Sequence, residues 1–447
     1  MSDAPIPPHD ATQLRRGRQE TIIGLAVLAT LPGLAIRLAG VHPPDTMAPV
    51  AFGIAILGSA FLLAWAAEVL QLDVSQGLAL TVLALIAVLP EYAVDFAFAS
   101  KAGQDPEKYA PLALANMTGA NRLLIGVGWS MVVLLAAWRM TRIARRRGYR
   151  GEIDTTTRLE RPHAIEITFL AIATLYSLTL PFKHTLTLID SFVLIGIFVA
   201  FVFRIARAPA EEPHLVGPAR LIGSLPVTQR RIAVGVLLAY AATVIFMCAE
   251  PFAESLVHVG EQAGIDTFLL VQWVAPLASE APELLVAGLF AWRLQTSAGL
   301  GTLLSSKVNQ WTLLVGSLPI VFAVSAGALH GLPLDSLQRE ELFLTAAQSV
   351  FAIAVLANRS MSVREAWALF GLFMAQFVLG GVLPESVAEY ERIAVGGLYL
   401  VLAAILLVRE RSVLRPLVHD GLREPVSELF REDEPEPTPP WLTSESL

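Results

Sequence analysis

Residues 276–288 read PLASEAPELLVAG. Two carboxylates, Glu280 and Glu283, and two prolines, Pro276 and Pro282, stand between apolar runs at 267–273 and 284–292. A charge at the centre of a membrane span costs roughly 2.5–3.5 kcal/mol on insertion scales. A proline inside a helix removes one hydrogen bond and frees the carbonyl four residues back. Two such liabilities side by side in an apolar helix point to a polar ligand that repays them.

The rest of the chain supports a membrane setting. Of 447 residues, 55% are hydrophobic and 16% charged, with a mean hydropathy of +0.60. These values exclude an ordinary soluble domain. A hydrocarbon core of about 30 Å takes roughly 20 apolar residues per helix. Twelve segments qualify, near 20–40, 46–70, 76–100, 108–138, 163–182, 185–206, 231–256, 265–292, 298–326, 341–357, 363–383 and 391–409. The first follows Arg15, Arg16 and Arg18 and lacks a small-residue cleavage site, so it reads as a membrane helix rather than a leader. A single cysteine, Cys248, leaves no intrachain disulfide or thiolate cluster to form.

Charge sets the orientation. Basic clusters stand at Arg15/Arg16/Arg18, Arg139 to Arg161, Arg204 to Arg231, Arg293, Arg359/Arg364 and Arg409/Arg411/Arg415. With twelve spans and the N-terminus inside, all of them face the cytoplasm, as the positive-inside rule asks. The Arg139–Arg161 run is therefore read as a topology signal, not a nucleic-acid patch. Residues 416–447 hold eight acids and two arginines, nearly the whole net charge of -7. With its prolines, this tail reads as disordered.

The 276–288 stretch also has a partner. AEVL (67–70) and GLALTVLALIAVLPEYAV (77–94) parallel AESL (253–256) and GIDTFLLVQWVAPLASEAPELLV (264–286). Each ends in a Pro-Glu pair, Pro90-Glu91 and Pro282-Glu283. Each is followed by a helix rich in small and amide residues, ALANMTGANRLLIGVG (113–128) and GTLLSSKVNQWTLLVG (301–316). The two Pro-Glu pairs sit on the third and eighth spans, so they enter the membrane from opposite sides. That is an inverted repeat, the plan of many secondary transporters. The expected fold is an all-α polytopic membrane protein of about twelve helices. It holds two inverted five-helix repeats, 46–206 and 231–383, joined by a cytoplasmic linker at 207–230. One extra helix lies at each end, 20–45 and 384–411, flanked by tails at 1–19 and 412–447.

The residues suit a hard cation. Proline frees the carbonyl of Ile86 or Ala278, and a carboxylate beside it offers a second oxygen. Glu91 and Asp95 share a helix face, as do Ser279 and Glu283. Asn116, Thr118 and Asn121, and Ser305, Ser306, Asn309 and Gln310, could complete a cage. Asp95 and Glu280 could instead pair with Lys307 or Arg122, and the asparagines could simply bridge helices.

On these motifs the chain resembles the calcium/cation antiporter superfamily, over about residues 46–383. The family pattern is Thr-Ser-x-Pro-Glu, then a helix opening Gly-Asn-x-x-Gly-Ser-Asn with a polar residue three positions later. Gly301, Ser305, Ser306, Lys307 and Gln310 fall on the second copy; Ala115, Asn116, Gly119, Ala120 and Asn121 fall on the first. The resemblance implies that Glu91 and Glu283 bind the transported cation, Ca²⁺ or Na⁺. RLQTS (293–297) looks like the turn of proton-coupled members. The chain departs from the pattern at Ala87-Val88, at Ser279-Glu280, at Leu124 where an oxygen ligand is expected, and at Lys307. Neutral ligands are lost and Asp95, Glu280, Lys307 and Arg122 are gained, which points to proton coupling, with Lys307 a resident cation or a fixed counter-ion.

The expected function is exchange of Ca²⁺ or another cation for H⁺ or Na⁺ by alternating access. The expected partners are inorganic cations, protons and the lipid bilayer, with no cofactor. The rivals are a Na⁺/H⁺ antiporter of the same fold, a passive cation channel and a transport-inactive homologue. An enzyme is disfavoured, since no H-E-x-x-H occurs and His163, His184, His258 and His330 sit near span ends. Arginine-rich composition and topology suggest a bacterial inner membrane protein with both termini cytoplasmic.

Overall fold

The computed structural model describes residues 9–40, 44, 47–73, 89–208, 215, 217–264 and 266–430. In chain order its helices are α1 (His9–Ala39), α2 (Met47–Leu70), α3 (Leu89–Gln104), α4 (Pro106–Arg146), α5 (Ala164–Ser177), α6 (Leu188–Ile205), α7 (Pro218–Gly223), α8 (Val227–Ala263), α9 (Thr267–Trp292), α10 (Thr296–Ala326), α11 (Ser336–Val355), α12 (Val363–Val382), α13 (Glu385–Arg409), α14 (Arg411–Leu422) and α15 (Val426–Leu429). Among the described residues eleven helices are long and apolar enough to cross a membrane, and each overlaps an expected span. The remaining span, 76–100, is described only from residue 89 as α3; residues 76–88, with the Ile86 carbonyl, lie outside the described residues. The protein is an all-α polytopic membrane protein.

The chain forms two compact units, residues 1–94 with 210–259, and residues 95–209 with 260–447. In the first, α1 lies along α2, and α7 packs on both. The Thr30 and Tyr240 hydroxyls share a hydrogen bond. Asp73 accepts from Arg230 Nε and Nη2 at 2.7 and 2.8 Å and from Arg231 Nε at 3.0 Å. These bonds, the Arg230 ones above all, draw the Asp73 carboxyl down to about 2. Within the expected linker at 207–230 lie α7 and the first turn of α8, and Arg230 ties the latter to the end of α2.

The second unit carries an internal two-fold relation. Among the described residues are four two-residue strands: β1 (Thr157–Arg158), β2 (Thr185–Leu186), β3 (Leu332–Pro333) and β4 (Ser360–Met361). A shift of 175 residues carries β1 onto β3 (157 to 332) and β2 onto β4 (185 to 360). The observed pairs are β1 with β4 and β2 with β3, both antiparallel. Thr157 faces Met361 and Leu186 faces Leu332, so the same shift converts one pair into the other. It also carries the Thr187–Asp190 capping box of α6 onto the Ser362–Glu365 box of α12. Each box satisfies a first-turn donor in both directions and fixes where its helix begins. One membrane crossing, α5, separates β1 from β2, so the two pairs lie at opposite ends of that helix.

The tail differs from its sequence reading. Residues 411–422 and 426–429 are helical rather than disordered, and α14 packs on α5. Arg161 grips Asp420 in bidentate fashion at 2.9 and 3.1 Å. Arg204 Nε donates to the Gly421 carbonyl and Nη2 to that of Asp420, both at 3.1 Å, at the C-terminal end of α14 where carbonyls lack helical partners. Acidic composition suggested a solvated tail, yet its first acid is consumed by a specific arginine. Residues 431–447 lie outside the described residues.

Candidate functional site

α9 stays continuous from Thr267 to Trp292 through both prolines. Pro276 frees the carbonyl of Gln272 and Pro282 that of Ala278. α4 comes close to the first of these. A Cβ added at Gly119 would lie 1.8 Å from the Gln272 oxygen, so only glycine allows this approach. On α10, Gly301 leaves room for the His163 ring, which a Cβ would meet at 2.2 Å. Both glycines were singled out as motif positions, and both act by permitting contact.

The carboxylates of α9 lie inside the second unit. Glu280 is 2% exposed and accepts from Gln310 Nε2. The same nitrogen donates to Ser306 Oγ at 3.4 Å. Glu283 is half-buried, and its Oε2 is sealed from solvent with no hydrogen-bond partner among the described residues. Gln310 Oε1 is in the same condition. Ser279 is buried, its hydroxyl turned back to the carbonyls of Ala275 and Pro276, both at 3.4 Å. Asn309 and Ser306 lie on α10 beside this group, Asn309 fully inside.

On α4, Asn116 Nδ2 donates to Asp95 Oδ1 at 2.8 Å, and both residues are 0% exposed. Asp95 Oδ2 and Asn116 Oδ1 have no hydrogen-bond partner among the described residues. Thr118 bonds its own helix at Leu114 O, 2.8 Å. Glu91 is 2% exposed, one turn before Asp95 on α3. Asn121 spends its Nδ2 on Met117 O, 2.8 Å, and turns Oδ1 to Lys307 Nζ at 2.6 Å. Lys307 also reaches the Asn121 carbonyl at 3.2 Å and lies 4.5 Å from the Trp311 ring centroid.

Arg122 takes a different partner from those expected. Its guanidinium does not pair with Asp95 or Glu280; it meets Glu341 Oε2 at 2.5 Å, bonds Gln376, and covers the Trp273 ring at 5.2 Å. Gln272 Nε2 donates to the same Glu341 oxygen at 2.8 Å. Sequence reading missed Glu341 because it placed the tenth span at 341–357, making this residue a span end. α11 starts at Ser336, after an Asp335–Gln338 capping box, and Glu341 lies inside at 4% exposure. The Asp-x-x-Gln spacing is the signal that would have moved the boundary. Glu166 maps onto Glu341 under the 175-residue shift and accepts from Ser305 at 3.3 Å. The π-helical segments within α4 and α10, Leu124–Trp129 and Gln310–Leu314, also went unforeseen. Hydropathy carries no mark of a single extra residue per turn, though such turns recur at functional sites.

The site therefore offers buried oxygens that lack donors among the described residues. Polar groups sealed inside a protein are nearly always partnered. Asp95 Oδ2, Asn116 Oδ1, Glu283 Oε2 and Gln310 Oε1 are hard oxygen atoms of the kind that coordinate Ca²⁺ or Na⁺. Glu280 and Glu283, three residues apart on one helix, add charge that a cation or protons can balance.

Comparison with known proteins places the chain in a family. The family model described as sodium/calcium exchanger protein matches residues 47–206 and 233–380. A solved structure described as the H⁺/Ca²⁺ exchanger CAX is 39% identical, with a TM-score of 0.82, covering 91% of this chain and 99% of that one. The structure of native YfkE is 14% identical with a TM-score of 0.59, covering 80% of this chain and 100% of that one. A selenium-substituted form described as the Ca²⁺/H⁺ antiporter protein YfkE is 14% identical with a TM-score of 0.58, over 80% and 99%. At 14% identity the likeness is one of fold alone. Among curated protein sequences, none matches this chain. With the family model matching these two long stretches, this chain belongs to the sodium/calcium exchanger family of cation antiporters.

Proposed function

We propose that this protein exchanges Ca²⁺ for H⁺ across a cell membrane by alternating access, with both termini in the cytoplasm. The observation that carries the reading is the set of sealed oxygens at Asp95, Asn116, Glu283 and Gln310 that have no donor among the described residues. Glu283 and Glu91 supply the charged ligands, and Asp95, Glu280, Ser279, Asn116, Asn121, Ser306, Asn309 and Gln310 the surrounding polar groups. Buried carboxylates that lose a divalent cation need compensating charge, and protons supply it at little steric cost. The 39% identity to a protein described as an H⁺/Ca²⁺ exchanger supports H⁺ as the counter-ion.

The second reading is sodium coupling, favoured by the description of the matching family. One experiment separates the two. Purified protein in liposomes is given radiolabelled Ca²⁺ outside and an outward gradient of either protons or sodium. Uptake driven by the proton gradient alone, and lost in Glu283→Gln, is the expected result. Uptake that requires sodium makes the protein a Na⁺/Ca²⁺ exchanger, and dissipative flux without either gradient makes it a channel.

A further inference from the structure

We propose that the Lys307 side chain is a tethered cation. Its ammonium fills a monovalent-cation position where the two repeats meet, and so denies that position to Na⁺. The proposal rests on the antiport reading of the same site and names what makes that site blind to sodium.

Three observations carry it. First, Lys307 is 0% exposed inside a membrane protein. An ammonium is stable there only if oxygens or a π-face replace its water. Asn121 gives it an amide oxygen at 2.6 Å and a main-chain oxygen at 3.2 Å, and Trp311 presents its ring at 4.5 Å. Neutral oxygens of this kind are what a bare monovalent ion would be offered.

Second, the contact joins symmetry mates. A shift of 186 residues carries the π segment beginning at Leu124 onto the one beginning at Gln310, and the same shift carries Asn121 onto Lys307. Equivalent residues that touch each other lie on the axis relating the copies. The pair there is one oxygen donor and one cation, where two asparagines would be two oxygen donors with room between them.

Third, the amide is committed. Asn121 Nδ2 is held by the Met117 carbonyl at 2.8 Å, so Oδ1 is the atom presented to position 307. Removing the ammonium leaves that oxygen, the Asn121 carbonyl and the Trp311 face among the groups around a vacancy of the side chain's size. Nothing in the argument requires Lys307 to lose its proton; it acts as a fixed charge.

The test is binding of radiolabelled Na⁺ to purified wild type, Lys307→Ser and Lys307→Met. Serine opens the space and adds a hydroxyl, whereas methionine keeps it filled without charge. Wild type and the methionine variant are expected to bind no sodium, and the serine variant to bind it with a half-saturating concentration at least about tenfold lower than any residual wild-type value. In liposomes, Na⁺ should then compete with radiolabelled Ca²⁺ only for the serine variant. A purely structural lysine would harm both variants alike and create no sodium site. Equal sodium binding by wild type and Lys307→Ser overturns the proposal, as does a serine variant that elutes as a single folded species, retains Ca²⁺ binding and ignores sodium. Should Lys307→Ser yield no folded protein, Lys307→Asn decides, because it gives position 307 the side chain its symmetry mate already carries. Sodium binding is read without transport, so a wild type that moves no Ca²⁺ under a proton gradient would sink the antiport reading while leaving this result interpretable.

Discussion

At the scale of single residues, the second unit separates two kinds of buried charge. Glu280 accepts from the Gln310 amide and Glu283 follows three residues later on the same helix, whereas Arg122 is paired with Glu341. The Arg122–Glu341 pair is 1% and 5% exposed and also bonds Gln272 and Gln376. Removing one member of such a pair strands the other and costs about 3–5 kcal/mol, while replacing both by apolar groups is far milder. Arg122→Met and Glu341→Leu should each lower the thermal midpoint sharply, and the double variant should recover much of the loss. A double-mutant cycle in detergent checks this; two strictly additive losses would mean the pair does not act as a unit. Glutamine at 341 is a useful companion, since it keeps the shape and removes only the charge.

At the scale of elements, helix ends account for much of the departure from hydropathy. The capping boxes at Thr187, Asp335 and Ser362 start α6, α11 and α12, and the second of them starts α11 early enough to place Glu341 inside the helix, buried. At the other end of the chain, α14 is held to α5 by Arg161 and Asp420. The Arg161 guanidinium beside Asp420 holds its carboxyl below the usual aspartate range. The folded form therefore binds its proton more weakly than the unfolded chain, whose aspartates titrate near ~3.9. The clip is at full strength above that value and is lost as pH falls through the folded value. Asp420→Asn should thus weaken protection of α14 against hydrogen exchange at pH 6 and make little difference in strong acid. A wild-type α14 that exchanges as fast as the variant at pH 6 would show that the clip contributes nothing.

At the scale of the whole molecule, twelve spans and an inverted repeat predict opposite sides for the two strand pairs. β1·β4 belongs with the arginine-rich loops, and β2·β3 with the opposite face. Cys248 is buried, so single cysteines can be read against little background. Glu152→Cys, beside β1, should react with a membrane-impermeant thiol reagent only from the cytoplasmic side. Leu329→Cys, 87% exposed and beside β3, should react only from the other side. Labelling of both from one side would break the topology and, with it, the inversion of the repeats.

The sequence alone was enough for the apolar spans and for the family that the Pro-Glu motifs resemble. Each is a local property: apolar length and the cost of a carboxylate and a proline in hydrocarbon are written in windows of about twenty residues. What Arg122, Lys307 and Asp420 do was decided only by tertiary structure. Arg122 had Asp95 and Glu280 within reach on paper and pairs instead with a residue 219 positions away. Lys307 meets its own symmetry mate 186 positions away, and Asp420 meets an arginine 259 positions away. A buried charge takes whichever partner the packed helices bring to its level of the membrane. That choice depends on where helices cross, and the crossings depend on details such as the approach of Gly119 to the Gln272 carbonyl, where the motif marks the glycine but not the helix it meets.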